Sequence, residues 1–405
     1  MKIVITGASG FVGRHVVPRL QTAGIDPVLI GRDPEKLAQL FPGLSCCAPD
    51  AMAQHATGAD LMVHLAARNN DRPGPQAEFD AVNVDLALTQ LRAAQEAGIA
   101  RFVYVSSIDA LDASNRSPYA ESKRRGAEAV LAAAGDTEVS ILYLPAVQAD
   151  RFAGKLAVLN KLPRVLRGPA FHTLAALRPT VSVDKIAAHL VSGAPAGEDN
   201  RLILTEAQRG NRVYGATMRL VDYAFALTIL LGFWWVLLAA WIAVRRDSPG
   251  PGLFGQPRVG RHGKVFTCWK FRTMQLGTAQ AGTHEVSAAS VTRVGAFLRR
   301  TKIDELPQVW NILRGEIALI GPRPCLPVQT ELVEERRKRG VLDVLPGISG
   351  LAQVEGIDMS DPVRLARRDA DYVALRGILP DIRLILRTAR GGGQGDRVRG
   401  QTGSA

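Results

Sequence analysis

The chain has 405 residues, 47% of them hydrophobic and 22% charged, with a formal net charge of +12. This length allows two domains with a core each, and the composition excludes a low-complexity or intrinsically disordered chain. The positive charge calls for an anionic partner. Because no nucleic-acid-binding motif is present, a membrane surface and phosphorylated substrates are favoured and nucleic acid is not expected.

The first half of the chain alternates short apolar runs with helical patterns up to about residue 205. The runs cover residues 2–6, 27–30, 61–65, 102–105 and 139–144. This alternation predicts an α/β fold, a Rossmann-type doubly wound parallel sheet covered by helices on both faces. We therefore expect residues 1–205 to form one domain.

A glycine-rich loop, Thr-Gly-Ala-Ser-Gly-Phe-Val-Gly, occupies residues 6–13 between the first predicted strand and a helical pattern. In such a loop the first glycine allows a tight turn, the second lets the backbone approach a pyrophosphate, and the third lets helix and strand pack closely. The strand before it and the helix after it indicate a dinucleotide site. The predicted cofactor contacts here are Gly7, Gly10, Phe11, Val12 and Gly13.

Arg32 stands at the end of the second predicted strand, where an acidic residue would bind the ribose 2′-hydroxyl of NAD. Because arginine suits a 2′-phosphate, the sequence favours NADP over NAD. The alternative is that Arg32 is an ordinary surface residue and that Asp33 caps the next helix.

Tyr119 and Lys123 are four residues apart at the start of a predicted helix, and Ser107 ends the strand before it. Residues at this spacing share one helical face. A nearby ammonium lowers the pKa of a phenol, so Tyr119 could exchange a proton with a sugar hydroxyl or ketone while nicotinamide exchanges hydride. The alternative is a surface pair on a helix.

These features resemble the nucleotide-sugar epimerase and reductase branch of the extended short-chain dehydrogenase/reductase family. The resemblance rests on the glycine loop, His64-Leu65-Ala66-Ala67, Ser106-Ser107-Ile108 and the Tyr119/Lys123 pair. It implies that Ser107 polarises a substrate hydroxyl, that Tyr119 is the acid/base and that Lys123 binds the ribose. Ala66 and Ala67 are implied cofactor contacts. The substrate-binding part is shorter than in that family, so cofactor binding without turnover stays an alternative.

Residues 223–244 form an uncharged apolar stretch with three tryptophans. One helix of this length reaches ~33 Å, enough to cross a bilayer core of roughly 30 Å. Arginines flank both ends, and positive charge marks the cytoplasmic side. We therefore expect residues 211–246 to enter the membrane, break near Gly232 and return, which leaves both domains on the cytoplasmic side; a simple span is the alternative.

Adjacent carboxylates, Asp304 and Glu305, follow Arg299 and Lys302 within the basic segment 247–390. Two such acids could hold Mg²⁺ while one attacks phosphorus, because an aspartate can form an acyl phosphate. Nearby arginines and the metal would neutralise a diphosphate. The alternative is a solvated pair that caps a helix.

Residues 211–388 resemble the bacterial sugar transferase family, the monotopic phosphoglycosyl transferases, through six spaced motifs in the family's order. The motifs occupy residues 247–251, 254–260, 270–274, 299–308, 321–324 and 346–354. The resemblance implies a small α/β catalytic domain and a ping-pong reaction. Asp304 would attack the β-phosphate of a UDP-sugar and release UMP, and polyprenyl phosphate would then take the phosphosugar. Glu305 would assist with Mg²⁺ or with proton handling.

The same resemblance implies that the phosphates are held by basic side chains of this domain. The predicted substrate contacts are Arg299, Arg323, Lys270, Arg272 and Gln353. Arg219 and Asp222 match the family's basic-then-acidic start to its membrane helix.

We therefore predict a bifunctional protein of the bacterial inner (cytoplasmic) membrane. It would load a sugar phosphate, from a UDP-N-acetylhexosamine derivative, onto undecaprenyl phosphate, and its first domain would epimerise or reduce the nucleotide sugar. In the alternative, residues 1–205 are a non-catalytic nucleotide-sensing or interaction module. The expected cofactors are Mg²⁺ and NADP or NAD. The sequence leaves a homodimer open, and residues 391–405 are predicted to be a disordered tail.

Overall fold

The computed structural model describes residues 1–71, 73–150, 152, 154–193, 199–277 and 290–391. The predicted tail lies almost entirely outside the described residues. The chain divides into two compact units. The first consists of Met1–His172 and Pro179–Ala207, and the second consists of Thr173–Arg178 and the chain from Gln208 onward.

The first unit is built on parallel strands with helices between them. Its strands are β1 Ile3–Thr6, β2 Val28–Ile30, β3 Cys46–Cys47, β4 Leu61–His64, β5 Arg101–Ser107, β6 Glu138–Leu144, β7 Ala146–Gln148, β8 Thr180–Ser182 and β9 Arg201–Ile203. The helices up to β9 are α1 Phe11–Thr22, α2 Pro34–Leu40, α3 Met52–His55, α4 Gln76–Asp80, α5 Leu86–Glu96, α6 Pro118–Ala132, α7 Arg164–Leu177 and α8 Val183–Ser192.

Seven of these strands form one parallel sheet in the order β3-β2-β1-β4-β5-β6-β9. Side chains alternate across it: Ile3 and Ile5 belong to one buried core and Val4 to another on the opposite face. The predicted doubly wound α/β fold is confirmed. Each predicted run overlaps a strand of this sheet, whereas β3 and β9 were not predicted.

The second unit mixes helices with short strand pairs. Its elements are α9 Arg212–Leu227, α10 Trp234–Asp247, β10 Leu253–Val259, β11 Val265–Phe271, α11 Arg293–Thr301, α12 Val309–Arg314, β12 Ala318–Ile320, α13 Thr330–Lys338, β13 Gly347–Ser349, α14 Leu351–Val354, α15 Pro362–Leu375 and α16 Ile378–Ala389. β10 and β11 form an antiparallel hairpin, and β12 pairs with β13 in parallel.

The long apolar stretch is broken. α9 runs into a π-helical turn, Thr228–Gly232, and Phe233 then leaves helical geometry with φ −121° and ψ 20° before α10 begins. A π turn shifts the register of the helical hydrogen bonds and is an established cause of sharp kinks. The break expected near Gly232 is present, one residue later.

Both arms of this broken helix, α9 and α10, pack against the rest of the second unit. On α9, Ala226 is buried against Ile312, and on α10, Val244 is buried against Leu298. Near the start of α9, the Asp222 carboxylate accepts a hydrogen bond from the Leu319 amide at 2.8 Å. The chain therefore leaves the body of the second unit along α9 and rejoins it along α10.

Large apolar side chains around the break face outward. The exposed ones are Leu220, Leu227, Leu231, Phe233, Trp234, Trp235, Leu238, Trp241 and Ile242. The segment Arg212–Gly232 is long and apolar enough to cross a membrane, and only 11% of its most apolar window is buried. Water is a poor surrounding for such a surface.

Candidate active sites

The carboxylate pair of the second unit lies in a tight turn. α11 ends at Lys302, which adopts left-handed geometry with φ +59°, and a 3₁₀ turn, Ile303–Gln308, follows at once. Left-handed geometry is uncommon outside glycine and is found at functional sites. The left-handed turn at Lys302 places Asp304 and Glu305 in the first turn of the 3₁₀ helix, where Asp304 is only 9% exposed.

Glu305 is fixed by two cations. Its Oε1 accepts hydrogen bonds from Lys270 Nζ at 2.8 Å and from Arg323 Nη2 at 3.0 Å. Burial acts to raise the pKa of Glu305, but the charges and hydrogen bonds of Lys270 and Arg323 outweigh it and hold that pKa well below its usual range. Glu305 is therefore ionised at neutral pH and unsuited to carry a proton.

Asp304 is in the opposite electrostatic situation. Burial, followed by the neighbouring Glu305 carboxylate, raises the pKa of Asp304 to about 6. Lys270, Arg299 and Arg323 act in the other direction. Two adjacent carboxylates with separated pKa values are a recurring arrangement of catalytic sites.

Arg299, whose charge acts on Asp304, and Arg272, which follows β11, each carry a buried N–H group without a partner among the described residues. Arg272 Nε and Nη2 donate to the carbonyls of Pro251 and Ser248, at 2.8 and 2.9 Å, and Arg299 Nε donates to Thr273 Oγ1 at 2.9 Å. Within the described residues, the Nη1 atoms of both arginines are buried and have no hydrogen-bond acceptor. Buried guanidinium groups left with free donors fit an anionic ligand, because an unmet buried donor is costly.

Gln353, the remaining predicted substrate contact, lies on α14 and bonds within its own loop. Its Nε2 donates to the Ile348 carbonyl at 3.2 Å, and its Oε1 is buried without a partner in the described part of the chain. The structure thus joins Lys270, Glu305 and Arg323 directly and leaves Gln353 outside that hydrogen-bonded group.

Asn311 is a site-supporting residue that the sequence reading missed. It is fully buried; its Oδ1 accepts from the Trp269 amide at 3.1 Å, and its Nδ2 donates to the Thr267 carbonyl at 2.7 Å and to Glu316 Oε2 at 2.6 Å. These bonds fasten β11, the strand that carries Lys270. The sequence feature that could have pointed to this role is a single amide side chain among the apolar residues of α12.

Asp304 and Glu305 are also the candidate metal ligands. Among the described residues, no three His, Cys, Asp or Glu side chains come together as a metal-binding group. Mg²⁺ often takes one or two carboxylates and completes its shell with water and substrate phosphates. Two carboxylates beside Lys270, Arg299 and Arg323 therefore fit a Mg²⁺ that binds together with a diphosphate.

The glycine loop of the first unit has the expected geometry. Gly7 has φ +74°, and a Cβ there would lie 2.4 Å from the Ala66 nitrogen. A Cβ on Gly13 would lie 2.5 Å from Ala8 Cα, whereas one on Gly10 would meet only Gly7 O, at 3.2 Å. The first and third glycines are thus required for chain packing, and the second leaves room beside the N-terminus of α1.

The other predicted cofactor contacts lie around this loop. Phe11 and Val12 form the first turn of α1, and Ala66 and Ala67 follow β4. Arg32 follows β2 and is exposed. Asp33 caps α2 by accepting from the Lys36 amide at 3.0 Å, as the alternative in which Arg32 is a surface residue expects. This cap does not involve the Arg32 side chain, which could still meet a 2′-phosphate.

Tyr119 lies at the start of α6, where its phenol hydrogen-bonds to Ser107. The expected lowering of its pKa is wrong for this structure: burial raises the pKa of Tyr119, and the Ser107 hydrogen bond only partly opposes it. The Lys123 ammonium donates instead to the Val105 carbonyl at 2.8 Å and lies 4.7 Å from the Tyr104 ring. Lys123 is itself buried, which lowers its pKa to about 7.

Comparisons with known proteins assign a family to each half of the chain. Residues 213–393 match the bacterial sugar transferase family, and residues 3–168 match the NAD dependent epimerase/dehydratase family. The UDP-glucose:undecaprenyl-phosphate glucose-1-phosphate transferase of Caulobacter vibrioides is 36% identical over an alignment of 184 residues, and the match covers 42% of this chain and 67% of that protein.

Two longer relatives match the same region. The protein of the same name from Xanthomonas campestris pv. campestris is 36% identical over 42% of this chain and 37% of its own length. The undecaprenyl-phosphate galactose phosphotransferase of Salmonella typhimurium is 32% identical over 45% of this chain and 41% of its own length. The chain thus spans about two fifths of these two curated relatives.

Among solved structures, a UDP-N-acetylglucosamine 4-epimerase from Bacillus cereus shares 17% identity with a TM-score of 0.38, over 51% of this chain and 78% of that one. The family matches and the Caulobacter relative carry the assignment. The chain belongs to the bacterial sugar transferase family and has a domain of the NAD dependent epimerase/dehydratase family on the N-terminal side of its transferase domain.

Proposed function

We propose that the second unit transfers a sugar-1-phosphate from a UDP-sugar to undecaprenyl phosphate through a covalent intermediate on Asp304. The observation that carries the proposal is the unequal carboxylate pair. Glu305 is held ionised by Lys270 and Arg323, while Asp304 is buried beside it with a raised pKa. The activities named for the Caulobacter and Salmonella relatives support the donor and acceptor classes.

The reaction has two displacement steps at one phosphorus atom. In the first, an Asp304 carboxylate oxygen attacks the β-phosphorus, the bond from that phosphorus to the bridging oxygen breaks, and UMP leaves with the bridging oxygen. In the second, a phosphate oxygen of undecaprenyl phosphate attacks the same phosphorus. The acyl phosphate bond breaks, which restores the Asp304 carboxylate and yields the diphosphate-linked sugar.

The cations around the pair supply electrostatic stabilisation. Lys270 and Arg323 are hydrogen-bonded to Glu305, and Arg299, whose charge acts on Asp304, has an unused Nη1 donor. Charge that develops on the bridging oxygen and on UMP can be taken up by such preorganised donors. When bound, Mg²⁺ would neutralise diphosphate charge; Asp304 and Glu305 would hold it.

The broken helix supports a location at the cytoplasmic membrane surface. Both arms pack on the catalytic unit, and the side chains around the break are large and apolar. A segment that dips into the bilayer and returns buries these side chains in lipid and keeps the catalytic carboxylates on one side. The basic flanks favour the cytoplasm as that side, because positive charge is enriched there, and UDP-sugars are available in the cytoplasm.

For the first unit we propose an enzyme that epimerises or reduces a UDP-N-acetylhexosamine derivative. Nicotinamide dinucleotide supplies hydride chemistry when bound. Tyr119, hydrogen-bonded to Ser107, is placed to move the proton of a sugar hydroxyl or ketone. The pyrophosphate would lie beside Gly10 at the N-terminus of α1, in the loop that Gly7 and Gly13 allow to pack, and the exposed Arg32 suits the extra phosphate of NADP.

A non-catalytic nucleotide-sensing module is the second candidate for this unit. It is favoured by Lys123, which donates to the Val105 carbonyl and does not contribute to lowering the Tyr119 pKa. Either function would act in the same chain as the transferase. If the unit is an enzyme, the fusion raises the local concentration of its product near the next active site.

Replacing Asp304 with Asn should lower UMP release by at least about 10⁴-fold, because the attacking carboxylate is lost. The assay measures UMP from a panel of UDP-sugars with undecaprenyl phosphate in detergent. Asp358→Asn, at an exposed turn residue, is the matched control and should retain wild-type activity. Wild-type rates from Asp304→Asn would rule out the proposed nucleophile.

The rate of UMP release should fall with pH below about 6, because Asp304 attacks only when ionised and its pKa in the folded protein is about 6. Lys270 lowers the pKa of Asp304, so Lys270→Met should move this acidic limb to higher pH. The control Lys264→Met removes an exposed lysine from the same hairpin and should leave the limb in place. A kcat/KM profile that is flat down to pH 4.5 would contradict the assignment.

Tyr119→Phe should lower the oxidation of NADPH by a UDP-4-keto sugar at least about 10²-fold, because the proton donor is removed. UMP release by the same variant should stay at the wild-type rate. Absorbance of the reduced nicotinamide reports the first reaction. A flat trace from wild-type protein, with NADPH or NADH on keto sugars and with NADP⁺ or NAD⁺ on hydroxyl sugars, together with no epimerised sugar, would favour the non-catalytic module.

A further inference from the structure

The loop that carries Arg323 follows β12 and reads Gly-Pro-Arg-Pro-Cys at residues 321–325. The two prolines have no N–H group and cannot donate a hydrogen bond. The loop is therefore poor in donors of its own, and other elements determine where its backbone lies. This matters because the Arg323 side chain reaches Glu305 from here.

Four consecutive carbonyls of this loop each accept a hydrogen bond from another part of the second unit. The Gly347 amide donates to Pro322 O at 2.9 Å, and the Val259 amide donates to Cys325 O at 2.9 Å. Between them, two arginine side chains supply the donors. Arg336 Nη1 donates to Arg323 O and Arg258 Nη1 donates to Pro324 O, both at 2.8 Å.

Arg336 is itself held by a buried ion pair. Its Nε and Nη2 donate to Asp369 Oδ2 at 2.9 and 2.6 Å, and both side chains are 3% exposed. The pair joins α13 to α15. A buried ion pair is weak evidence for stability, since desolvation offsets the attraction, and it often has another role.

We propose that Arg336, oriented by Asp369, is a positioning residue that fixes the backbone of Arg323 so that its guanidinium reaches Glu305. Asp369 occupies two nitrogens of Arg336 and leaves Nη1 directed at the Arg323 carbonyl. Arg258 holds the next carbonyl of the loop, that of Pro324, in the same way. The proposal rests on the proposed transferase function for its consequence, because a displaced Arg323 would no longer orient Glu305 or meet the diphosphate.

Arg336→Met should lower kcat/KM for UMP release roughly 10²-fold, the scale expected from a displacement of about 1 Å at a catalytic group. Arg337→Met is the matched control: Arg337 is the next residue on α13, exposed and paired with Glu334. It should leave kcat/KM at the wild-type value.

A double-mutant cycle separates positioning from a general structural effect. If Arg336 acts through Arg323, Arg336→Met added to Arg323→Ala should change kcat/KM less than about twofold. Independent, multiplying losses would overturn the proposal, as would wild-type kinetics from Arg336→Met alone. If Arg336→Met does not fold, Arg258→Met goes through the same cycle, because it removes the neighbouring donor and leaves the buried ion pair intact.

Amide hydrogen exchange tests the loop without any turnover. Arg336→Met should speed exchange at Gly347 and Val259, whose amides hold the loop carbonyls, and Arg337→Met should not. Unchanged exchange in Arg336→Met would refute the positioning role whatever the activity. Absence of UMP release from wild-type protein, with the exchange difference present, would instead count against the transferase reaction.

Discussion

The hydrogen bonds from Lys270 and Arg323 to one oxygen of Glu305 connect three segments of the second unit. Lys270 comes from β11, Glu305 from the 3₁₀ turn after α11, and Arg323 from the loop after β12. A largely buried carboxylate, here 15% exposed, is unfavourable unless cations pair with it. The pairing keeps Glu305 ionised, and the ionised Glu305 in turn helps to raise the pKa of its neighbour Asp304.

The surrounding structure is arranged to hold those cations. Asn311 fastens β11 by accepting from the Trp269 amide and donating to the Thr267 carbonyl. Arg336 and Arg258 hold two carbonyls of the Arg323 loop. Catalytic groups require such support, because a small displacement of a charged side chain removes much of its effect. The broken helix adds a second constraint. Its two arms, α9 and α10, each pack against the rest of this unit, and the apolar side chains around the break between them face outward.

Much of this could be predicted from the sequence. The glycine loop, the Tyr119/Lys123 spacing and the Asp304-Glu305 pair lie in continuous motifs, and the fold of the first unit follows from its alternating strands and helices. The contribution of Asn311, Arg336 and Asp369 could not be predicted, because each acts on a segment far away in the chain. The direction of the Tyr119 pKa also depended on burial and on where Lys123 points, neither of which spacing determines.

The most direct test of the central claim is the mass of the intact protein after mixing with UDP-sugars in the absence of undecaprenyl phosphate. A phosphosugar adduct should appear, map to the peptide that contains Asp304, and disappear when undecaprenyl phosphate is added. Asp304→Asn should remain unmodified. Formation of lipid-linked product with no adduct at any reaction time, or an adduct of the same size on Asp304→Asn, would contradict covalent catalysis by this aspartate.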